Sequence, residues 1–150
     1  MSECPFCKIR EGQLSASVVH QDSICTAFLD VQPINPGHII IIPNEHVESF
    51  SNLSSGTRDH LFQLSQTLSG ALRKSGIKSP GVNLFLADGK EAMQEVPHFH
   101  IHIIPRFEGD GFEFNFSPTY FELPTRDELD QNAEHIKQAL HEMGDTTGSV

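Results

Sequence analysis

His98-Phe99-His100-Ile101-His102-Ile103-Ile104 alternates histidine with an apolar residue through three repeats. On an extended strand the three histidines share one face while Phe99, Ile101 and Ile103 share the other. The run therefore predicts a strand over residues 97–105 with one face in a core and the opposite face given to chemistry. Working outward, apolar and β-branched runs bounded by Pro, Gly, Asn or Asp predict further strands over 24–30, 37–43 and 82–87, with a short one near 17–20.

Helical period appears twice. Leu61, Leu64, Leu68 and Leu72 form one apolar stripe on a helix over about 55–74 that stops before Gly76. Thr125-Arg126-Asp127-Glu128 is a capping box, after which Leu129, Ala133, Ile136, Leu140 and Met143 repeat at helical spacing. Residues 109–121, rich in Gly and Phe, read as a loop. The order of elements predicts an α+β fold, an antiparallel sheet of about five strands with two main helices. It forms one domain over 1–143, followed by a flexible tail, 144–150.

Composition narrows the functions. The chain has 150 residues, a formal charge of −10, 11 Phe and no Trp. That charge argues against binding nucleic acid, which draws its affinity from clustered Lys and Arg, although histidines and backbone amides can still hold one small anion. The longest aliphatic stretch, Ile39 to Ile42, is too short to span a bilayer, so no membrane association is expected. Met1-Ser2-Glu3-Cys4 lacks the features of a secretory signal, and the expected address is the cytoplasm. In that reducing compartment Cys4 and Cys7 are metal ligands or packing residues in preference to a disulfide, and Cys25 is a small buried apolar residue.

Two chemistries suit the histidine face. Three imidazoles can bind zinc or iron and leave a position for water. Alternatively, neutral His100 attacks phosphorus and forms a covalent intermediate that water or another acceptor resolves. Alternate residues on one strand face lie about 6.6 Å apart at Cα, which strains chelation by all three without forbidding it. Periodicity leaves both readings open.

The pattern His-φ-His-φ-His-φ-φ, met by His98 through Ile104, resembles the signature of the histidine-triad (HIT) nucleotide-binding family. Upstream, Phe28-Leu29-Asp30-Val31-Gln32-Pro33 and Pro36-Gly37-His38 are similar to the family's paired strands, and Cys4-Pro5-Phe6-Cys7-Lys8-Ile9 resembles the opening of its prokaryotic members. The resemblance implies a HIT-like fold and a hydrolase or nucleotidyl transferase that cleaves purine nucleotide conjugates at the α-phosphate. Nucleoside phosphoramidates and dinucleoside polyphosphates are the implied substrates. It assigns His100 as nucleophile, His102 to the phosphate or leaving group, and His38 as support from the neighbouring strand. Asp30 is implied to take the ribose hydroxyls, Phe6, Ile9, Phe28, Val31 and Ile40 to enclose the purine, and Asn83 and Gln94 to lie near ribose and phosphate. Cys4, Cys7, His46 and His98 are implied to hold a structural zinc, with no catalytic metal, and the subunits to form a homodimer through the long helix.

Two positions depart from the family pattern. Met93 stands where many members have Gly, and Glu95 where several have Ser or Thr that bonds the phosphate. Both bear on turnover, and they motivate an alternative in which the domain binds a purine mononucleotide for regulation and turns over little.

Overall fold

The apolar runs form five strands: β1 (Val18–Gln21), β2 (Cys25–Leu29), β3 (Ile39–Pro43), β4 (Gly81–Phe85) and β5 (Ile101–Arg106). Every neighbouring pair is antiparallel, in the order β1-β2-β3-β5-β4, giving the α+β architecture expected. The computed structural model describes residues 3–145, the side chain of Asp145 excepted. Two compact units divide after Phe112, and each is described by itself. The division falls within the span 1–143.

Helix α1 (Pro5–Arg10) opens the first unit, and α2 (Ser55–Lys74) lies between β3 and β4 in sequence. The bounds of α2 are those the leucine spacing predicts. Ser54 Oγ accepts the Thr57 amide at its start, and Gly76, at φ +85°, follows its end. Leu61, Leu64, Leu68 and Leu72 pack with Ile39, Ile41, Phe99, Ile101 and Ile103 in the larger core. The other face of the sheet carries a smaller core of Cys4, Phe6, Cys7, Phe28, Ile40 and Ile42. Central strand β3 is thus buried on both faces, which explains why it reads as four consecutive isoleucines instead of an alternating pattern.

Two features differ from the sequence expectation. Helix α1 was not anticipated: six residues are too few to show a period, although Pro5 sits at the first helical position, where its missing N–H leaves no intrahelical bond unmade. Strand β5 begins at Ile101, four residues later than expected, because the Phe99 amide bonds the Val47 carbonyl (2.6 Å) and the His98 amide bonds the Val96 carbonyl (2.8 Å). The alternation survives: Phe99, Ile101 and Ile103 are all buried in the α2-facing core.

In the second unit, α3 (Arg126–Asp145) follows an irregular segment. Its capping box forms as read: Glu128 N–H donates to Thr125 Oγ1 (3.2 Å), and Thr125 N–H donates to Glu128 Oε2 (2.7 Å). Phe116 and Tyr120 stack within the preceding segment, their ring centroids 4.0 Å apart. The helix continues through Gly144 to Asp145, and the rest of the expected tail, 146–150, lies outside the described residues.

Candidate active site and metal centre

The three histidines of the run differ in their hydrogen bonds, and those bonds set their tautomers. His100 Nδ1 lies 2.7 Å from the His98 carbonyl oxygen, which can only accept. The neutral ring therefore carries its proton on Nδ1 and leaves a lone pair on Nε2. His38 Nδ1 accepts the Ile34 amide (3.1 Å), so the His38 proton sits on Nε2 and is donated to His102 Nδ1 (2.8 Å). His102 keeps its own N–H on Nε2. The chain Ile34, His38, His102 thus fixes a hydrogen-bond donor on the ring beside His100, whose centroid lies 4.8 Å from that of His102.

Burial keeps these rings neutral. It lowers the pKa of His100 and of His38, and it takes His102 to about 4, with His100 and His38 adding to the effect. An unprotonated His100 is the form that can attack an electrophile.

His100, His102 and His38 line a cavity of about 510 Å³ with Asp30, Phe6, Val31 and Ile40. These are seven of the positions named from sequence. The ring of Phe6, brought in by α1, meets His100 edge-on at 5.1 Å. Asp30 Oδ1 accepts the Gln32 amide (2.8 Å), while Oδ2 stands 3.7 Å from His38 Nε2.

Four expected nucleotide contacts lie elsewhere. Phe28 is buried in the smaller core, and Ile9 packs against that core from α1. Asn83 Oδ1 accepts from Arg106 Nη1 (2.6 Å), on the strand at the far edge of the sheet. Gln94 bridges two loops, donating to the Glu48 carbonyl (2.8 Å) and accepting from the Gly89 amide (2.8 Å). In their place Gln32, Ile34, Phe85 and Val96 line the cavity, and none of them was singled out. Phe85 sits opposite His102 in the β4–β5 register, and a pairing register is not written in either strand alone.

Met93 and Glu95 also line this cavity. Met93 has φ +66°, the left-handed conformation that glycine adopts without penalty. The backbone therefore keeps the shape associated with Gly here while carrying a side chain that is 73% exposed.

His98 does not line this cavity. Its Nε2–H donates to the Pro43 carbonyl (2.9 Å), which turns the Nδ1 lone pair toward Cys4 Sγ (3.4 Å) and Cys7 Sγ (3.6 Å). His46 Nδ1 is 3.3 Å from Cys7 Sγ, and all four donor atoms lie within 4.8 Å of one another. Ligands at about 2.3 Å (sulfur) and 2.0 Å (nitrogen) from one tetrahedral ion stand ~3.3–3.8 Å apart, so these separations fit zinc. The bond to Pro43 is the outer support that orients a metal-binding imidazole. Burial takes His98 to a pKa of about 4, leaving Nδ1 unprotonated near neutral pH. His98 is thereby committed to the cysteine side, and the three histidines of the run do not converge on one point.

Among known proteins, a HIT domain model matches residues 11–109. An uncharacterised HIT-like protein of Borreliella burgdorferi is 40% identical over 116 residues, 76% of this chain and 83% of its own. A Candida albicans protein named adenosine 5'-monophosphoramidase is 30% identical over 145 residues, covering 93% and 92%. The crystal structure of a zinc-bound histidine triad family protein from Mycobacterium smegmatis superposes with a TM-score of 0.71 at 33% identity, over 77% of this chain and 84% of that one. Because the matched span carries β1 to β5 and the whole histidine run, this chain belongs to the HIT family, whose members include nucleotide hydrolases.

Proposed function

We propose that the protein is a nucleotide hydrolase or nucleotidyl transferase that cleaves purine nucleotide conjugates at the α-phosphate through a covalent nucleotidyl-His100. Nucleoside phosphoramidates and dinucleoside polyphosphates are its substrate classes. The observation that carries the reading is the His100–His98 hydrogen bond, which leaves the Nε2 lone pair on a residue lining the cavity. In the first step Nε2 bonds to the α-phosphorus as the bond to the leaving amine or phosphate breaks, the amine leaving with a proton taken up from solvent, and His102 Nε2–H donates a hydrogen bond to the reacting group. Water or another acceptor then attacks the phosphorus and gives up its proton to solvent, the P–N bond to His100 breaks, and the neutral imidazole is restored with its proton still on Nδ1. Asp30 accepts the ribose hydroxyls, and Phe6, Val31 and Ile40 contact the base. Cys4, Cys7, His46 and His98 would hold a zinc ion that joins α1 to the sheet and leaves His100 and His102 to the chemistry.

The cytoplasm is the compartment of this reading, since thiols stay reduced there and can hold the metal. Among the described residues no helix is long and apolar enough to cross a membrane. The proposed assembly is a homodimer.

Intact-mass spectrometry after brief mixing with adenosine phosphoramidate tests the mechanism. Wild-type protein gains one adenylyl mass, and His100→Ala gains none and loses at least about 1000-fold in turnover, as expected for removal of a nucleophile. Full activity in His100→Ala sinks the proposal. Met93 and Glu95 favour the second reading, because a carboxylate facing a bound phosphate is repulsive. Micromolar AMP binding by calorimetry, with no turnover across a panel of conjugates, would select that regulatory module.

A further inference from the structure

Away from the triad cavity, two histidines meet one carboxylate where the β1–β2 turn approaches α2. His20 Nε2 and His60 Nε2 lie 2.8 and 2.7 Å from the same oxygen, Asp22 Oδ2. The other oxygen, Oδ1, accepts the backbone amides of Ile24 (2.7 Å) and Cys25 (2.9 Å), so the turn itself fixes the carboxylate and leaves Oδ2 to the rings. All three side chains are half-buried, at 37%, 28% and 33% exposure for His20, Asp22 and His60. None lines the triad cavity, and none belongs to the cluster of Cys4, Cys7, His46 and His98.

We propose that His20, Asp22 and His60 form a second metal site, which binds a divalent transition-metal ion through the two Nε2 atoms and Asp22 Oδ2. Two imidazoles and one carboxylate are a donor set for zinc, copper(II) or nickel, whereas calcium and magnesium take oxygen ligands. Adjacent ligands at about 2.1 Å from one ion are roughly 3 Å apart, so each nitrogen–oxygen distance needs to widen by only a few tenths of an ångström, while the two rings must also turn toward each other to share the ion; the donor atoms of His20, Asp22 and Cys25 already lie within 4.8 Å of one another. Both rings bind neutral, with their protons on Nδ1. Asp22 supplies the negative charge: burial alone raises its pKa, but the hydrogen bonds from His20, the Cys25 and Ile24 amides and His60 outweigh it and hold the carboxyl well below the usual range. Cys25 Sγ stands 3.7 Å from the same oxygen, yet burial and then the Asp22 charge push this thiol up to about 12. A bound ion would lower that value and release the thiolate, so Cys25 is a further ligand within reach, and solvent completes the coordination. Because the ligands come from β1, the turn and α2, the ion ties the edge hairpin to the helix.

Two experiments on the full-length protein test the site. In a zinc titration read by native mass spectrometry, wild-type protein binds one equivalent more than His20→Gln and His60→Gln. In a nickel titration of wild-type protein already loaded with one equivalent of zinc, the backbone amide signals of His20, Asp22, Ile24 and His60 broaden before the rest of the spectrum. Equal zinc uptake by wild type and both variants overturns the proposal, as does nickel broadening that spares those four amides. Melting in a chelator checks that the variants fold, and if either does not, the wild-type nickel measurement decides.

Discussion

His102 shows how a single ring is tuned and what that costs. Its pKa falls from the ordinary 6.5 to about 4, burial being the largest cause. Between those values the unfolded chain binds a proton that the folded ring refuses, so stability falls as pH drops through this window and the penalty is complete below about 4. Urea unfolding midpoints measured from pH 7 to pH 4 will fall less steeply for His102→Gln than for wild type, and parallel curves would refute the assignment. Met93 is a second residue under constraint. A non-glycine residue in the left-handed region costs about 1–2 kcal/mol, part of which is returned when glycine's extra backbone entropy is lost on folding. Met93→Gly is expected to stabilise the protein by about 1 kcal/mol, seen as a higher denaturant midpoint at unchanged slope.

Among the elements, α1 depends most on what lies beyond its own sequence. A helix of six residues has no stability alone, and this one is held by Phe6 in the smaller core and by Cys4 and Cys7 against His98. With zinc bound, its removal by a chelator is expected to lower the melting temperature and to make Cys4 and Cys7 react with a thiol reagent. Cys25 should react far more slowly, its thiol being buried and held near 12. Equal reactivity of all three cysteines before and after chelation would show that no metal holds the helix. The segment after β5 is fastened differently. Asp110 accepts from Arg106 Nε (2.6 Å) and from Asn35 Nδ2 (2.9 Å), and Asn35 also donates to the Pro105 carbonyl (2.8 Å). No periodic pattern announces such a network, since its members are separated by as many as 75 positions in the chain.

For the whole molecule, α3 presents Leu129, Ile136, Leu140 and Met143 exposed, at 42%, 62%, 62% and 68%. An apolar stripe of this kind on a helix is a surface that association covers. Sedimentation at micromolar concentration is expected to give a dimer, and Ile136→Glu with Leu140→Glu is expected to shift it to monomer without loss of helix content. A wild-type protein that sediments only as monomer would exclude the homodimer.

The sequence by itself determined the strand alternation, the extent of α2, the start of α3 and the separation of a core face from a histidine face. Each of these is a local pattern repeated at the period of one element, and a period needs no partner to be read. The tertiary structure decided which nitrogen of each histidine is left with a lone pair and what that nitrogen faces. His98 and His100 are two residues apart on the same face, yet the Pro43 carbonyl turns one toward the cysteines while the His98 carbonyl leaves the other with Nε2 unprotonated. It also removed Phe28, Ile9, Asn83 and Gln94 from the cavity and brought in Phe85 and Ile34. Those outcomes depend on strand register, on the docking of α1 and on hydrogen-bond partners distant in the chain, which exist only once the sheet has formed.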